Sequence, residues 1–314
     1  MSRDDESDDD IPFNRDFPLA PARVEQVAPG IRRIVADNPG AFTFTGTVSY
    51  IVGTGKVAII DPGPLNDAHH AALLDAVRGE TVTHILVTHT HRDHSPGAAP
   101  LKAATTATVY AEGPHRASRP SHEGEQPVLE AGNDRDFSPD MRLADGDVIE
   151  GGDWRLEAVT VPGHTANHVC FAWPERGAMF VGDHVMGWST SIVAPPDGSM
   201  NDYMASLQKI AARGEDLYFP AHGPEIPEAR RYVRFYMRHR KAREASIMHR
   251  LAKGAADIPT LVRAIYIGID PRLVPAAGLS VLAHLEDLTE RGIVVTDGPP
   301  VLAGVYRLGA RLPG

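Results

Sequence analysis

Residues 84–98, HILVTHTHRDHSPGA, constrain this chain more than any other part of it. An apolar strand, Ile85–Thr88, runs straight into His89, His91, Asp93 and His94, and a helix is expected to start near Pro96. Side chains alternate along extended backbone, so His89 and His91 share one side. Asp93 and His94 follow where the chain turns and can face a second point beside the first. Neutral imidazoles suit zinc, and a carboxylate adds a hard oxygen ligand. With 15 histidines in 314 residues, three His and one Asp at fixed offsets arise by chance on the order of once in 10⁵ windows. Three further segments repeat the layout of a strand followed by a Gly- or Pro-containing turn with a ligand-type residue. They are His164 in VPGHT, Asp183 in FVGDH and His222 in FPAHG. Loops at one edge of a sheet sandwich converge, so these residues are expected to meet at one place.

The surrounding pattern is strands, βα units, strands, then βα units again. Strands are read at 32–36, 48–52, 57–60, 84–88, 107–111, 154–160, 168–173, 178–181 and 217–219. Helices are read at 68–77, 96–103 and 203–213, and 112–140 as a long loop. Such an order predicts an α+β fold of two mixed sheets packed face to face with helices outside. Residues 226–253 read as one long helix, broken at Gly254. Helices at 260–266 and 275–291 and strands at 293–295 and 301–308 then describe a small winged-helix-like module. The expected division is a disordered acidic tail over 1–18, a catalytic domain over 19–240 and the winged-helix-like domain over 241–314. No apolar run approaches the ~20 residues that cross a bilayer. The N-terminus, MSRDDESDDD, is the reverse of a signal peptide, and the single cysteine, Cys170, forms no internal disulfide. A cytoplasmic protein without membrane partners is expected.

The ordered set His-x-His-x-Asp-His, His164, Asp183, His222 resembles the metallo-β-lactamase superfamily of dinuclear metal hydrolases. The resemblance covers residues 24–240 and implies an αββα sandwich. It implies one ion on His89, His91 and His164, the other on Asp93, His94 and His222, and Asp183 bridging them. Two Zn²⁺ are the expected cofactors, with Mn²⁺ or Fe²⁺ as alternatives, and a metal-bridging hydroxide is the expected nucleophile. Asp93 ligates one ion and is expected to orient that nucleophile or take its proton. Asp61, in IIDPG, matches the family's aspartate that hydrogen-bonds a ligand imidazole. His184 is a candidate proton donor at the site rim, with a structural role as its rival. Zinc β-lactamases of the commonest class carry a cysteine where Asp183 stands, which argues against penicillin as the substrate.

A narrower resemblance, to the lactamase-beta-like protein 2 family, rests on 182–190, 202–207, 220–224, the basic helix with Arg238, Arg240 and Arg243, and 283–288 followed by Arg291. That family combines the hydrolase domain with a winged-helix-like tail and includes an endoribonuclease acting on single-stranded RNA. Charge leans the same way. Residues 228–314 carry +6 and residues 1–227 carry −16, and nine Lys or Arg between Arg230 and Lys253 face one acid, Glu244. Arginine forks suit phosphate, so a phosphodiesterase or endoribonuclease on single-stranded RNA is the first expectation. Docking of the helix against the acidic body is the rival use of the same charges. The alternatives are a hydrolase of thioesters, lactones or other small acyl substrates, resembling glyoxalase II, and a non-catalytic nucleic-acid-binding protein.

Overall fold

The structure is a computed structural model and describes residues 11–123, 125 and 132–310. Its first sheet has seven strands in the order β1 (Glu25–Ala28), β2 (Ile31–Val35), β3 (Val48–Val52), β4 (Lys56–Ile60), β5 (Thr81–Leu86), β6 (Thr108–Ala111), β7 (Met141–Arg142). Pairing is antiparallel from β1 to β4 and parallel from β4 to β7. Helices α1 (Asp67–Ala76) and α2 (Ala98–Thr105) make the crossovers. The second sheet has six strands: β8 (Val148–Glu150), β9 (Arg155–Thr160), β10 (Val169–Trp173), β11 (Ala178–Gly182), β12 (Leu217–Pro220) and β13 (Ile226–Pro227). Helix α3 (Met200–Ala211) crosses from β11 to its parallel neighbour β12.

Alternation of side chains separates three apolar layers. On β4, Val57 and Ile59 pack outward with Leu73 of α1 and Leu101 of α2, whereas Ala58 and Ile60 pack inward. On β10, Phe171 points to the same inner layer, while Cys170 and Ala172 join Tyr203 and Leu207 of α3 on the opposite face. Strands buried on both faces explain why β3 and β4 read as mostly apolar runs, interrupted only by Ser49 and the leading Lys56. The result is the expected αββα sandwich.

Helix α4 (Ala229–Leu251) closes the outer layer through Tyr232, Val233 and Tyr236 and then continues past it. Its far end, Ile247 and Leu251, packs with α5 (Ile258–Ile265), α6 (Val274–Glu290) and a three-stranded sheet of β14 (Ala256–Asp257), β16 (Val305–Leu308) and β15 (Val294–Thr296). This is the winged helix. Position 240, where the sequence suggests a boundary, lies inside α4, because no Gly or Pro interrupts 229–251.

Several expectations shift. Helix α4 starts at Ala229 rather than 226, because Ile226 and Pro227 pair with β12 and Glu228 takes a positive φ of 50°. The last strand begins at Val305, since residues 301–304 form a turn closed by the Gly304 N–H on Val301 O at 2.9 Å. Of the tail expected over 1–18, residues 1–10 lie outside the described residues. The rest is anchored: Ile11 and Phe17 are buried, and the Asn14 N–H donates to Gly187 O at 2.8 Å. Residues 124 and 126–131 of the expected long loop also lie outside the described residues.

Candidate metal centre

The seven residues expected as ligands meet at one edge of the sandwich. Strand β5 ends in the turn carrying His89, His91, Asp93 and His94, β9 leads to His164, β11 to Asp183 and β12 to His222. Gly182 makes the approach close. It takes φ +50°, and a Cβ there would lie 2.7 Å from Thr88 Oγ1 and 2.8 Å from His168 Nε2. Any larger residue would push Asp183 out of line.

The side chains form two groups, His89, His91, His164 and Asp183 on one side and Asp93, His94 and His222 on the other. Within each group the ligand atoms all lie within 4.8 Å of one another. In the first, His91 Nδ1 stands 2.9 Å from His89 Nε2 and 3.2 Å from His164 Nε2. In the second, Asp93 Oδ2 is 3.2 Å from both His94 Nε2 and His222 Nε2. Asp183 lies between the groups. Its Oδ2 is 3.6 Å from His94 Nε2 and 3.7 Å from His164 Nε2, and its Oδ1 is 3.3 Å from His222 Nε2.

The nitrogens farther from each centre show which tautomer each ring holds. His164 Nδ1–H donates to Ile192 O at 2.6 Å and His222 Nδ1–H to Gly46 O at 3.3 Å. His94 Nδ1–H donates to Asp61 Oδ2 at 3.0 Å. Thr88 Oγ1 donates to the same oxygen at 2.8 Å and therefore accepts from His89 Nδ1–H at 3.0 Å. Asp61 thus orients His94 directly and His89 through Thr88, with the imidazole lone pairs left pointing inward.

These residues fit a pair of cations. Three imidazole lone pairs converge at 2.9–3.2 Å, and Asp183 Oδ1 and His94 Nε2 are buried without a hydrogen-bond partner. A tetrahedral ion with bonds of ~2.0–2.2 Å has ligand–ligand edges of ~3.3–3.6 Å, close to the spacing seen. The charge balance agrees. Burial pushes His91 down to about 3 and His89 well below its ordinary range, helped in each case by neighbouring imidazoles. Burial also disfavours charge on His94 and His222, but Asp93 and Asp183 outweigh it, holding His94 well above its ordinary value and His222 up to about 10. The two carboxylates call for positive charge in the second group, and a divalent ion is the alternative to those protons.

His184 does not stand where the sequence suggests. Its ring is fully buried against Tyr203, at 4.9 Å between centroids, both ring nitrogens lack partners, and burial pushes it down to about 3. The turn at Asp183 sends the next side chain to the opposite face of β11, so His184 cannot serve the rim. Ser95 donates to Asp134 Oδ2 at 2.7 Å and is likewise turned away. On the rim, Asp197 accepts from Asn133 Nδ2 at 2.5 Å and pairs with His115 at 3.5 Å. Sequence reasoning missed Thr47, whose Oγ1 lies 3.0 Å from Asp93 Oδ2, because no motif marks it.

Part of the basic helix is committed to the protein itself. Arg240 is 3% exposed, donates to the Ser191 carbonyl and, at 3.3 Å, to Ser280 of α6. Arg243 stacks on Tyr266 and donates to Ile265 O, and Arg230 and Arg231 meet Asp216 and Glu228. Among the described residues, no helix is long and apolar enough to cross a membrane.

Residues 42–222 match the family described as the metallo-beta-lactamase superfamily, and 258–299 match the beta-lactamase associated winged helix domain. The chain is 30% identical over 283 residues to the lactamase-like protein vrtG of Penicillium aethiopicum, covering 86% of this chain and 83% of that one. It is 31% identical over 238 residues to an atrochrysone carboxyl ACP thioesterase of Claviceps purpurea, covering 73% and 68%. A beta-lactamase domain protein from Burkholderia ambifaria superimposes with a TM-score of 0.77 at 20% identity, over 94% of this chain and 96% of that one. A metallo-beta-lactamase family protein from Thermus thermophilus does so at 0.72 and 23%, over 90% and 100%.

Proposed function

The chain belongs to the metallo-beta-lactamase superfamily, and on that premise we propose that it is a zinc-dependent hydrolase of a thioester. The observation that carries this reading is the convergence of seven buried or half-buried ligand atoms around two centres, with Asp183 between them. Two divalent ions bound there would polarise the substrate carbonyl and lower the pKa of a water to near neutrality.

The chain's own residues hold and orient. His89, His91 and His164 would hold one ion, Asp93, His94 and His222 the other, and Asp183 both. Asp61, Ile192 O and Gly46 O keep the ligand tautomers fixed. Asp93 is the most open of the carboxylates that line the centre, with 24% of its side chain exposed against 9% for Asp183. It is therefore the group placed to align an attacking water and hold its proton. Neither Cys170 nor Ser95 competes as a nucleophile. Cys170 is buried on the far face of β10, where burial pushes its thiol up, and Ser95 faces Asp134.

A thioester rather than a phosphodiester is supported by relatives named as ACP thioesterases, at 31% identity for the one from Claviceps purpurea and 30% for one from Aspergillus aculeatus. The RNA expectation leaned on the basic helix, and two of its arginines, Arg240 and Arg243, are tied to the protein itself. A purely nucleic-acid-binding role leaves a full set of oriented ligands without a use. The test is a panel on zinc-loaded protein: an S-acyl pantetheine thioester, a lactone, a nitrophenyl phosphodiester and single-stranded RNA. The highest kcat/KM is expected on the thioester. Cleavage of RNA without turnover of the thioester would overturn the assignment.

A further inference from the structure

The connection between β2 and β3 enters the site without contributing a ligand, and it touches two of the three members of the second group. Gly46 O accepts from His222 Nδ1–H at 3.3 Å, and Thr47 Oγ1 lies 3.0 Å from Asp93 Oδ2. Thr47 also pairs with His222 through the backbone, and the next N–H, Val48, donates to Ala221 O at 2.7 Å. Gly46 is confined to glycine. It sits at φ +136°, and a Cβ there would fall 2.0 Å from Ala36 O.

The direction of the Thr47 hydroxyl follows by elimination. Asn38 Oδ1 accepts from the Thr47 N–H at 2.9 Å, which fixes the amide orientation and turns Nδ2 towards Thr47 Oγ1 at 3.0 Å. An amide NH₂ only donates, so Thr47 Oγ1 accepts there, and its one proton is left for Asp93. Thr47 is fully buried, and as a β-branched residue its χ1 is stiff. The hydroxyl is therefore aimed before any ion or substrate arrives.

We propose that Thr47, locked by Asn38, is the positioning residue for Asp93, and that it selectively sets the affinity of the second ion and the reactivity of Asp93. This rests on the two-ion reading above. The selectivity follows from the wiring. The first group is oriented by Thr88 and Ile192 O, neither of which touches Thr47. Without the hydroxyl, Asp93 Oδ2 loses its only neutral donor among the described residues and is free to rotate away from the ion.

The experiment is zinc competition against a chromophoric chelator on the full chain, comparing wild type with Thr47→Val, Thr47→Ser and Asn38→Ala. Valine keeps the shape and removes the donor. The first equivalent is expected to bind as in wild type, and the second about 10–100-fold more weakly, in the range seen for outer-shell partners. Serine should restore it. Asn38→Ala, at a partly exposed position outside the sheet, should give a smaller loss in the same equivalent and serves if the valine variant does not fold. With saturating zinc, kcat on the thioester should fall while KM holds. Unchanged second-site affinity in both Thr47→Val and Asn38→Ala, or equal loss at both sites, would overturn the proposal. A wild-type chain that takes up fewer than two equivalents would overturn the two-ion reading instead.

Discussion

Replacing Asp61 with asparagine changes one atom, and the structure states where that atom must go. Asp61 Oδ1 accepts from the Thr88 N–H at 2.8 Å, a donor that cannot reverse. The amide oxygen of asparagine must therefore keep that place, and its NH₂ falls where Oδ2 stood, facing His94 Nδ1 and Thr88 Oγ1. His94 can accept only by moving its proton to Nε2, the nitrogen 3.2 Å from Asp93 that points into the second group. Binding an ion then requires reversing the tautomer against an opposed N–H. Outer-shell changes of this kind cost about 10–100-fold in metal affinity, or about 1.4–2.8 kcal/mol. His89, reached only through Thr88, should suffer less. Chelator competition would read both sites of Asp61→Asn, with near-ultraviolet circular dichroism to check that packing survives. Second-site affinity equal to wild type would refute the claim that Asp61 sets the His94 tautomer.

Arg240→Met should lower the melting temperature. Leaving the Ser191 carbonyl and Ser280 hydroxyl without their donor costs about 1–3 kcal/mol, or about 1.5–4.5 °C for a chain of this size. Neutralising the exposed Arg234 alone should change it by less than about 1 °C, so equal losses in the two variants would contradict the assignment of Arg240 to the body. Cys170 should resist thiol reagents in the folded protein and react only on unfolding, because it is fully buried and its thiol is held protonated. Labelling at the rate of a free thiol would show that the outer layer opens readily.

The ligand set is legible in the sequence because each member is a metal-type residue at a turn, and the two-faced burial of β3 and β4 gives mostly apolar runs. Shorter elements are not. Strands β7, β8 and β13 have two or three residues each, too few for an alternating pattern to register. His184 misleads because adjacency to Asp183 in sequence becomes opposition across β11. The basic helix misleads for a related reason. Counting charges cannot separate Arg240, sealed against Ser191, from Arg234 on the surface, and the phosphodiester expectation grows from treating them alike. Thr47 and Asn38 carry no motif; only the fold brings them to Asp93.

The central claim is that seven residues form one two-ion centre joined by Asp183. Calorimetric titration of zinc into chelator-stripped protein tests it most directly, on wild type and on Asp183→Ala. Two equivalents are predicted for wild type, and weaker binding of at least one for the variant, since its carboxylate faces both groups. Fewer than two equivalents in wild type, or two undiminished equivalents in Asp183→Ala, would contradict the account.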